Sequence, residues 1–108
     1  MFLIVSKYLV PKGYGGITIF PFVFFRSKSH AADVVSLNHE KIHLRQQAEM
    51  LIIGFFLWYG IEFIIRFAKI GDWQVAYRGI CFEREAYAEE ANRTYLQRRP
   101  FWRFLRYL

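Results

Sequence analysis

Residues 33–50 read DVVSLNHEKIHLRQQAEM, and the fold follows from how this stretch is read. Glu, Lys, Gln, Arg, Ala and Leu dominate it, all good helix formers. Asp33 or Ser36 can cap its start. Inside it lies Asn38-His39-Glu40-Lys41-Ile42-His43, an H-E-x-x-H pattern. Residues four apart share a helix face, so His39 and His43 can reach one ion. Glu40 sits about 100° around the helix from His39 and about 60° from His43, close enough to lean over that ion without binding it. Two imidazoles suit Zn²⁺, and the Glu can take a proton from a metal-bound water. The bland alternative is two surface histidines beside an unrelated Glu. Two of only three histidines in the chain fall in the pattern, which favours the metal.

C-terminal to this helix, residues 51–65 (LIIGFFLWYGIEFII) are nearly all apolar. A membrane span wants about 20 apolar residues. Extension to Ile70 adds Arg66 and Lys69 to Glu62, and each charge near a span centre costs about 2.5–3.5 kcal/mol. A buried or interface-lying helix is therefore expected over a span. Gly71-Asp72 reads as a break. Asp72 can cap a further helix from Trp73 to about Gln97, ahead of Pro100.

N-terminal to it, residues 2–10 (FLIVSKYLV) and 17–25 (ITIFPFVFF) are rich in β-branched and aromatic residues, with the turn-forming PKGYGG between them. The pattern predicts a β-hairpin, with Pro21 marking an edge or a bulge. Residues 26–31 (RSKSHA) read as a polar connection. The expected fold is α+β: an N-terminal β-hairpin packed on a bundle of about three helices, one domain over residues 1–108.

A chain of 108 residues and 13.0 kDa has room for one modest core. At 55% hydrophobic and 20% aromatic it is no disordered linker, and it carries more apolar surface than so short a chain easily buries. The net charge is +6, and residues 93–108 hold five arginines and no acid, so the body is near neutral. A nucleic-acid binder usually spreads charge over a face, and no nucleic-acid motif accompanies this tail, so no nucleic-acid partner is expected. The last residues, PFWRFLRYL, alternate aromatic, arginine and leucine. They suit a membrane interface, or equally a core-finishing segment with solvated arginines. Residues 51–70 and 93–108 are thus the candidate membrane-contacting segments. The single cysteine, Cys81, cannot form an internal disulfide and fits a reducing compartment. The N-terminus has no basic leader and is broken by Lys7, a poor match to a signal peptide. A membrane-associated protein on the cytoplasmic side is the expectation.

A catalytic zinc wants a third protein ligand and one open position. His30 is the only other histidine, and it lies in the polar connection. Cys81 is possible, but buried lone cysteines are usually inert. Carboxylates are better placed, concentrated in Phe82-Glu83-Arg84-Glu85-Ala86-Tyr87-Ala88-Glu89-Glu90. Glu83 and Glu85 lie about 160° apart on a helix, and Glu90 is also far around from Glu85. Glu85 shares a small, partly apolar face with Cys81, Ala88, Glu89, Asn92 and Leu96, which another helix can approach. Glu89, one turn on, can hydrogen-bond a ligand histidine. Alternatively, Glu85 and Glu89 pair with Arg78 or Arg93 on a solvated face.

His39-Glu40-x-x-His43 followed by Glu85-x-x-Ala88-Glu89 resembles the gluzincin metallopeptidases, with H-E-x-x-H on one helix and E-x-x-A-D on a later one. The nearest likeness is to the CAAX prenyl protease group and the metallopeptidase domains of β-lactam-sensing transducers, over roughly residues 36–92. The resemblance implies Zn²⁺ held by His39, His43 and Glu85, with Glu40 as general base and Glu89 behind the ligands. Glu89 stands where the family has Asp, and the chain is much shorter than the family's membrane enzymes. The implied function is peptide-bond hydrolysis near a membrane, on a peptide or protein substrate. Tyr77, Arg78, Tyr87 and His30 are candidate oxyanion donors. The N-terminal hairpin could offer an edge to an extended substrate. A non-catalytic membrane-associated protein with a closed structural site is the alternative, with Cys81 as a fourth ligand. A two-His, one-carboxylate set also suits Fe(II).

Overall fold

The computed structural model describes residues 1–108 and is α+β. Three strands come first: β1 (Phe2–Val5), β2 (Gly16–Ile19) and β3 (Phe22–Phe25). Then follow α1 (Lys28–Ala32), α2 (Val34–Glu49), α3 (Ile53–Ile70), α4 (Trp73–Gly79), α5 (Cys81–Glu89), α6 (Tyr95–Arg98) and a 3-10 segment at Arg103–Tyr107.

The hairpin is not the expected pairing of residues 2–10 with 17–25. The second apolar run folds on itself instead: β2 and β3 are antiparallel, with Thr18 opposite Val23. Pro21, with no N–H and a fixed φ, suits the turn between these two strands. β1 pairs in parallel with the other side of β3, Phe2 opposite Phe22. The order β1-β3-β2 leaves β2 as an edge strand. The connection expected over 26–31 is instead mostly helical: α1 begins at Lys28 and runs one residue past it to Ala32, and its cap Ser27 accepts from the His30 N–H.

Asp33, not Ser36, caps α2, accepting from the Val35 N–H at 3.0 Å. Leu51 and Ile52 then take positive φ (56° and 64°), and α3 leaves at 110° to α2. Gly71, at φ 79° in the left-handed region, closes α3, and its N–H donates to the Phe67 carbonyl. Asp72 caps α4 through the Val75 N–H at 3.0 Å, as expected. No single helix is long and apolar enough to cross a membrane.

The single helix expected over 73–97 is divided. Ile80 is extended (φ −61°, ψ 137°), so α5 starts afresh at Cys81. Glu62, the one acid of α3, explains the break. Its carboxylate accepts from the Cys81 N–H at 3.0 Å, and Trp58 Nε1 and Arg66 Nε hold it in place at 3.1 and 2.8 Å. A carboxylate at the first turn also suits the helix dipole. At the far end of α5, Asn38 Nδ2 donates to the carbonyls of Glu89, Glu90 and Asn92 at 3.3, 2.8 and 2.9 Å. Gln46, two turns along α2, donates to the Phe82 carbonyl at 3.0 Å. These bonds lock α5 antiparallel to α2. The seam between them is apolar, with Ile42, Ala86 and Tyr95 buried together. A second cluster of Phe55, Ile80, Cys81, Phe82 and Phe104 joins α3, α5 and the C-terminal segment.

Candidate metal centre

α2 carries three functional faces, set by the helical period. Asn38, Ile42 and Gln46 face α5. His39 and His43 flank that seam. Glu40 and Gln47 turn toward β2, where the Thr18 hydroxyl donates to Glu40 Oε1 at 2.7 Å and Gln47 Nε2 donates to the Thr18 carbonyl at 2.7 Å. A Cβ on Gly16 would stand 3.1 Å from Glu40 Oε2 and 3.2 Å from the Phe24 carbonyl, so any larger residue there has to push Glu40 or β3 back by a few tenths of an ångström.

The two imidazoles meet one carboxylate, Glu83. His43 Nε2 lies 3.2 Å from His39 Nε2 and 3.2 Å from Glu83 Oε1, and His39 Nε2 lies 3.4 Å from that oxygen. All three side chains are buried. This His-His-Glu group could hold a metal ion.

The remaining polar atoms orient these donors. His39 Nδ1 is 2.7 Å from Glu90 Oε2, and a carboxylate only accepts, so Nδ1 carries the proton. His43 Nδ1 is 2.8 Å from Gln46 Oε1, while Gln46 Nε2 is committed to the Phe82 carbonyl and Glu85 Oε1. His43 Nδ1 is therefore also a donor. Both Nε2 lone pairs then aim at each other and at a carboxylate. A positive species belongs at that point, either a proton or a cation. Burial disfavours charge on His43, but the charge and hydrogen bond of Glu83, with help from Glu40 and Gln46, raise its pKa to about 9. Burial likewise disfavours the Glu83 carboxylate, yet His43 and His39 hold it well below the usual carboxylate range. Glu83 Oε2 accepts from the Tyr59 hydroxyl at 2.8 Å, leaving Oε1 for the histidines. The Tyr87 ring packs edge-on against His39 at 4.5 Å.

Glu85, the expected third ligand, is elsewhere. It is fully buried, with Arg99 Nε and Nη2, Tyr95 Oη and Gln46 Nε2 all donating to its carboxylate. Arg99 Nη1 also donates to Glu49 at 2.6 Å. Neither does Glu89 support a histidine: it accepts from the Tyr107 hydroxyl at 3.4 Å, and Glu90 takes the supporting position. The physical reason is the rotation of α5. Ala86 faces α2, so Glu83 and Glu90 lie about 60° and 40° to one side of the seam, and Glu85 and Glu89 lie about 100° and 60° to the other. The histidines are on the first side. Cys81 is buried in the apolar cluster and is not part of the group, and its thiol is pushed up by burial and by Glu62. His30 bonds Ser27 through Nδ1 at 2.8 Å, on α1. The sequence did carry a sign of the face that meets the histidines: Glu83, Tyr87 and Glu90 recur at i, i+4 and i+7, beside the small Ala86 that admits a neighbouring helix.

Two cavities flank the group. One, of about 440 Å³, borders His39, Glu40, His43 and Glu83 and is otherwise largely aromatic. The other, of about 250 Å³, is polar and borders His39, Glu40 and Glu90. Of the oxyanion candidates only Tyr77 borders both, and burial followed by the Glu83 charge keeps its phenol protonated as a donor.

No family model, no curated protein and no solved structure matches this chain.

Proposed function

We propose that this protein is a zinc-dependent metallopeptidase with His39, His43 and Glu83 as ligands and Glu40 as general base, working at a membrane surface. One observation carries the reading. Zn–N and Zn–O bonds of about 2.0–2.1 Å place tetrahedral ligands about 3.3–3.4 Å apart. The three donor atoms stand 3.2, 3.2 and 3.4 Å from one another, one face of such a tetrahedron. Three protein ligands with no fourth among Cys81 or His30 favour an open, catalytic site over a closed, structural one. The likeness to the gluzincins then rests on the H-E-x-x-H helix and a later acidic ligand, in the register of Glu83 rather than Glu85.

Zinc held by His39, His43 and Glu83 would supply Lewis-acid activation of a water and a carbonyl. Glu40 accepts the proton released as the water oxygen bonds to the peptide carbon, then gives it to the amine as the C–N bond breaks. Thr18 fixes the carboxylate for both transfers through its 2.7 Å bond. Tyr77 is the donor best situated for the developing oxyanion. On the outer side of α3, Leu57, Ile61, Ile64 and Ile65 form an exposed apolar stripe, which supports docking on a bilayer.

The test is metal content and peptide hydrolysis in wild type, Glu83→Ala and Glu40→Gln. We expect one zinc per chain in wild type and Glu40→Gln, little in Glu83→Ala, and hydrolysis in wild type alone. A zinc-free wild type after zinc addition, or zinc retained in Glu83→Ala, overturns the site. Hydrolysis surviving in Glu40→Gln overturns the mechanism.

A further inference from the structure

The two cavities beside the zinc cradle differ in chemistry, and that difference bears on the substrate. The polar one is walled by Ser36, Gln74, Arg78 and Glu90. The larger, of about 440 Å³, is walled by Phe55, Phe56, Tyr59, Phe63 and Trp73. Its volume falls in the range of about 300–1,000 Å³ typical of ligand sites. Its rings offer a side chain apolar contact and few hydrogen bonds, so a polar group entering it loses water without replacement. His39, Glu40 and Tyr77 border both cavities, so a peptide reaching Glu40 has one of them on either side.

Gly60 brings no side chain to this wall. It lies in the middle of α3, one turn after Phe56 and one turn before Phe63, and lines the cavity. A Cβ built on Gly60 meets nothing within 4 Å. Glycine is among the poorest helix formers, and nothing packs against it here, so its effect is the notch it leaves between the two rings.

Building on the peptidase reading, we infer that the aromatic cavity is the specificity pocket: it takes a large apolar side chain, Phe or a residue of similar size, next to the scissile bond, and Gly60 sets the depth available to it.

Binding separates this inference from the chemistry. The zinc-loaded Glu40→Gln chain keeps all three ligands and is titrated by calorimetry with the blocked peptide Ala-Ala-Phe-Ala-Ala and its all-alanine counterpart. The same pair is titrated into Glu40→Gln carrying Gly60→Leu, a change that favours the helix and fills the notch. Wild-type chain is given both peptides, and its products are mapped by mass spectrometry. We expect the Phe peptide to bind at least about tenfold tighter than the alanine peptide, a ratio that falls towards one with Gly60→Leu. Zinc content and melting temperature of the Gly60→Leu chain should match or exceed those of its parent. Equal binding of the two peptides, or a Phe preference that survives Gly60→Leu, overturns the pocket even if wild type cleaves. Phe-selective binding lost in Gly60→Leu, with no cleavage by wild type, upholds the pocket and overturns the peptidase reading instead.

Discussion

At the scale of the residue, the molecule separates two carboxylates only two positions apart. Glu83 turns to the histidines, and Glu85 turns to Arg99, Tyr95 and Gln46. Their loss should therefore look different. Glu83→Ala should lose zinc, because two imidazoles alone make a weak site. Glu85→Ala should keep zinc per folded chain but lose about 3–5 kcal/mol of stability, because Arg99 is left buried with only Glu49 to neutralise it. Metal analysis and urea denaturation on the two variants make the check. A supporting carboxylate behind a ligand histidine is worth about 10–100-fold in metal affinity. Glu90→Ala should show that loss in competition with a chelator. Glu89→Ala, which touches Tyr107 rather than His39, should show none. A larger effect at Glu89 than at Glu90 would restore the register that the E-x-x-A-[D/E] spacing suggests.

At the scale of the element, two joints place the site. The first is the turn from α2 to α3. Ile52 has φ 64° and ψ −63°, and the Ile53 N–H donates back to the Leu51 carbonyl at 2.6 Å. This is a tight three-residue turn in a backbone region that a β-branched residue rarely enters. Ile52→Gly should remove the strain and raise stability by about 1 kcal/mol, read as a higher denaturation midpoint with unchanged zinc binding. The second joint is the break at Ile80, where Glu62 meets the Cys81 N–H two residues before Glu83. Glu62→Ala leaves that buried N–H and the Trp58 indole without an acceptor, which should cost about 1–3 kcal/mol. It should also weaken zinc binding, since the first turn of α5 carries Glu83, the proposed third ligand. Unchanged affinity would mean that α5 is held by Asn38 and Gln46 alone.

At the scale of the whole molecule, the small core leaves much apolar surface outside. Leu57, Ile61, Ile64 and Ile65 are each at least 50% exposed and line one side of α3. The chain also carries net charge +6, suited to an anionic bilayer. Vesicles containing phosphatidylserine should sediment the protein, and Leu57→Glu with Ile64→Glu should release it while leaving zinc content unchanged. Sedimentation that persists in the double variant would move the contact to the C-terminal segment. There the two sequence readings divide residue by residue. Arg99 and Phe104 are buried in ion-pair and aromatic clusters, whereas Phe101 and Leu108 are 74% and 61% exposed.

The sequence by itself determined the α+β class, the helix bearing His39, Glu40 and His43, the Gly71-Asp72 break and the Asp72 cap. Each is a local property: propensity, capping chemistry or the spacing of residues on one helix. It also determined that Glu83 and Glu85 point to opposite sides of their helix. Which side meets the histidines was decided by tertiary structure alone, because rotation of α5 about its axis depends on Ala86 packing into the seam with Ile42. The same holds for the break at Ile80, which needs Glu62 from another helix, and for the hairpin. Pro21 was legible as an interruption, but its place in a turn rather than in an edge strand depended on β1 pairing with β3. Local signals fix what each residue can do; the contacts between elements far apart in the chain decide which of them face each other.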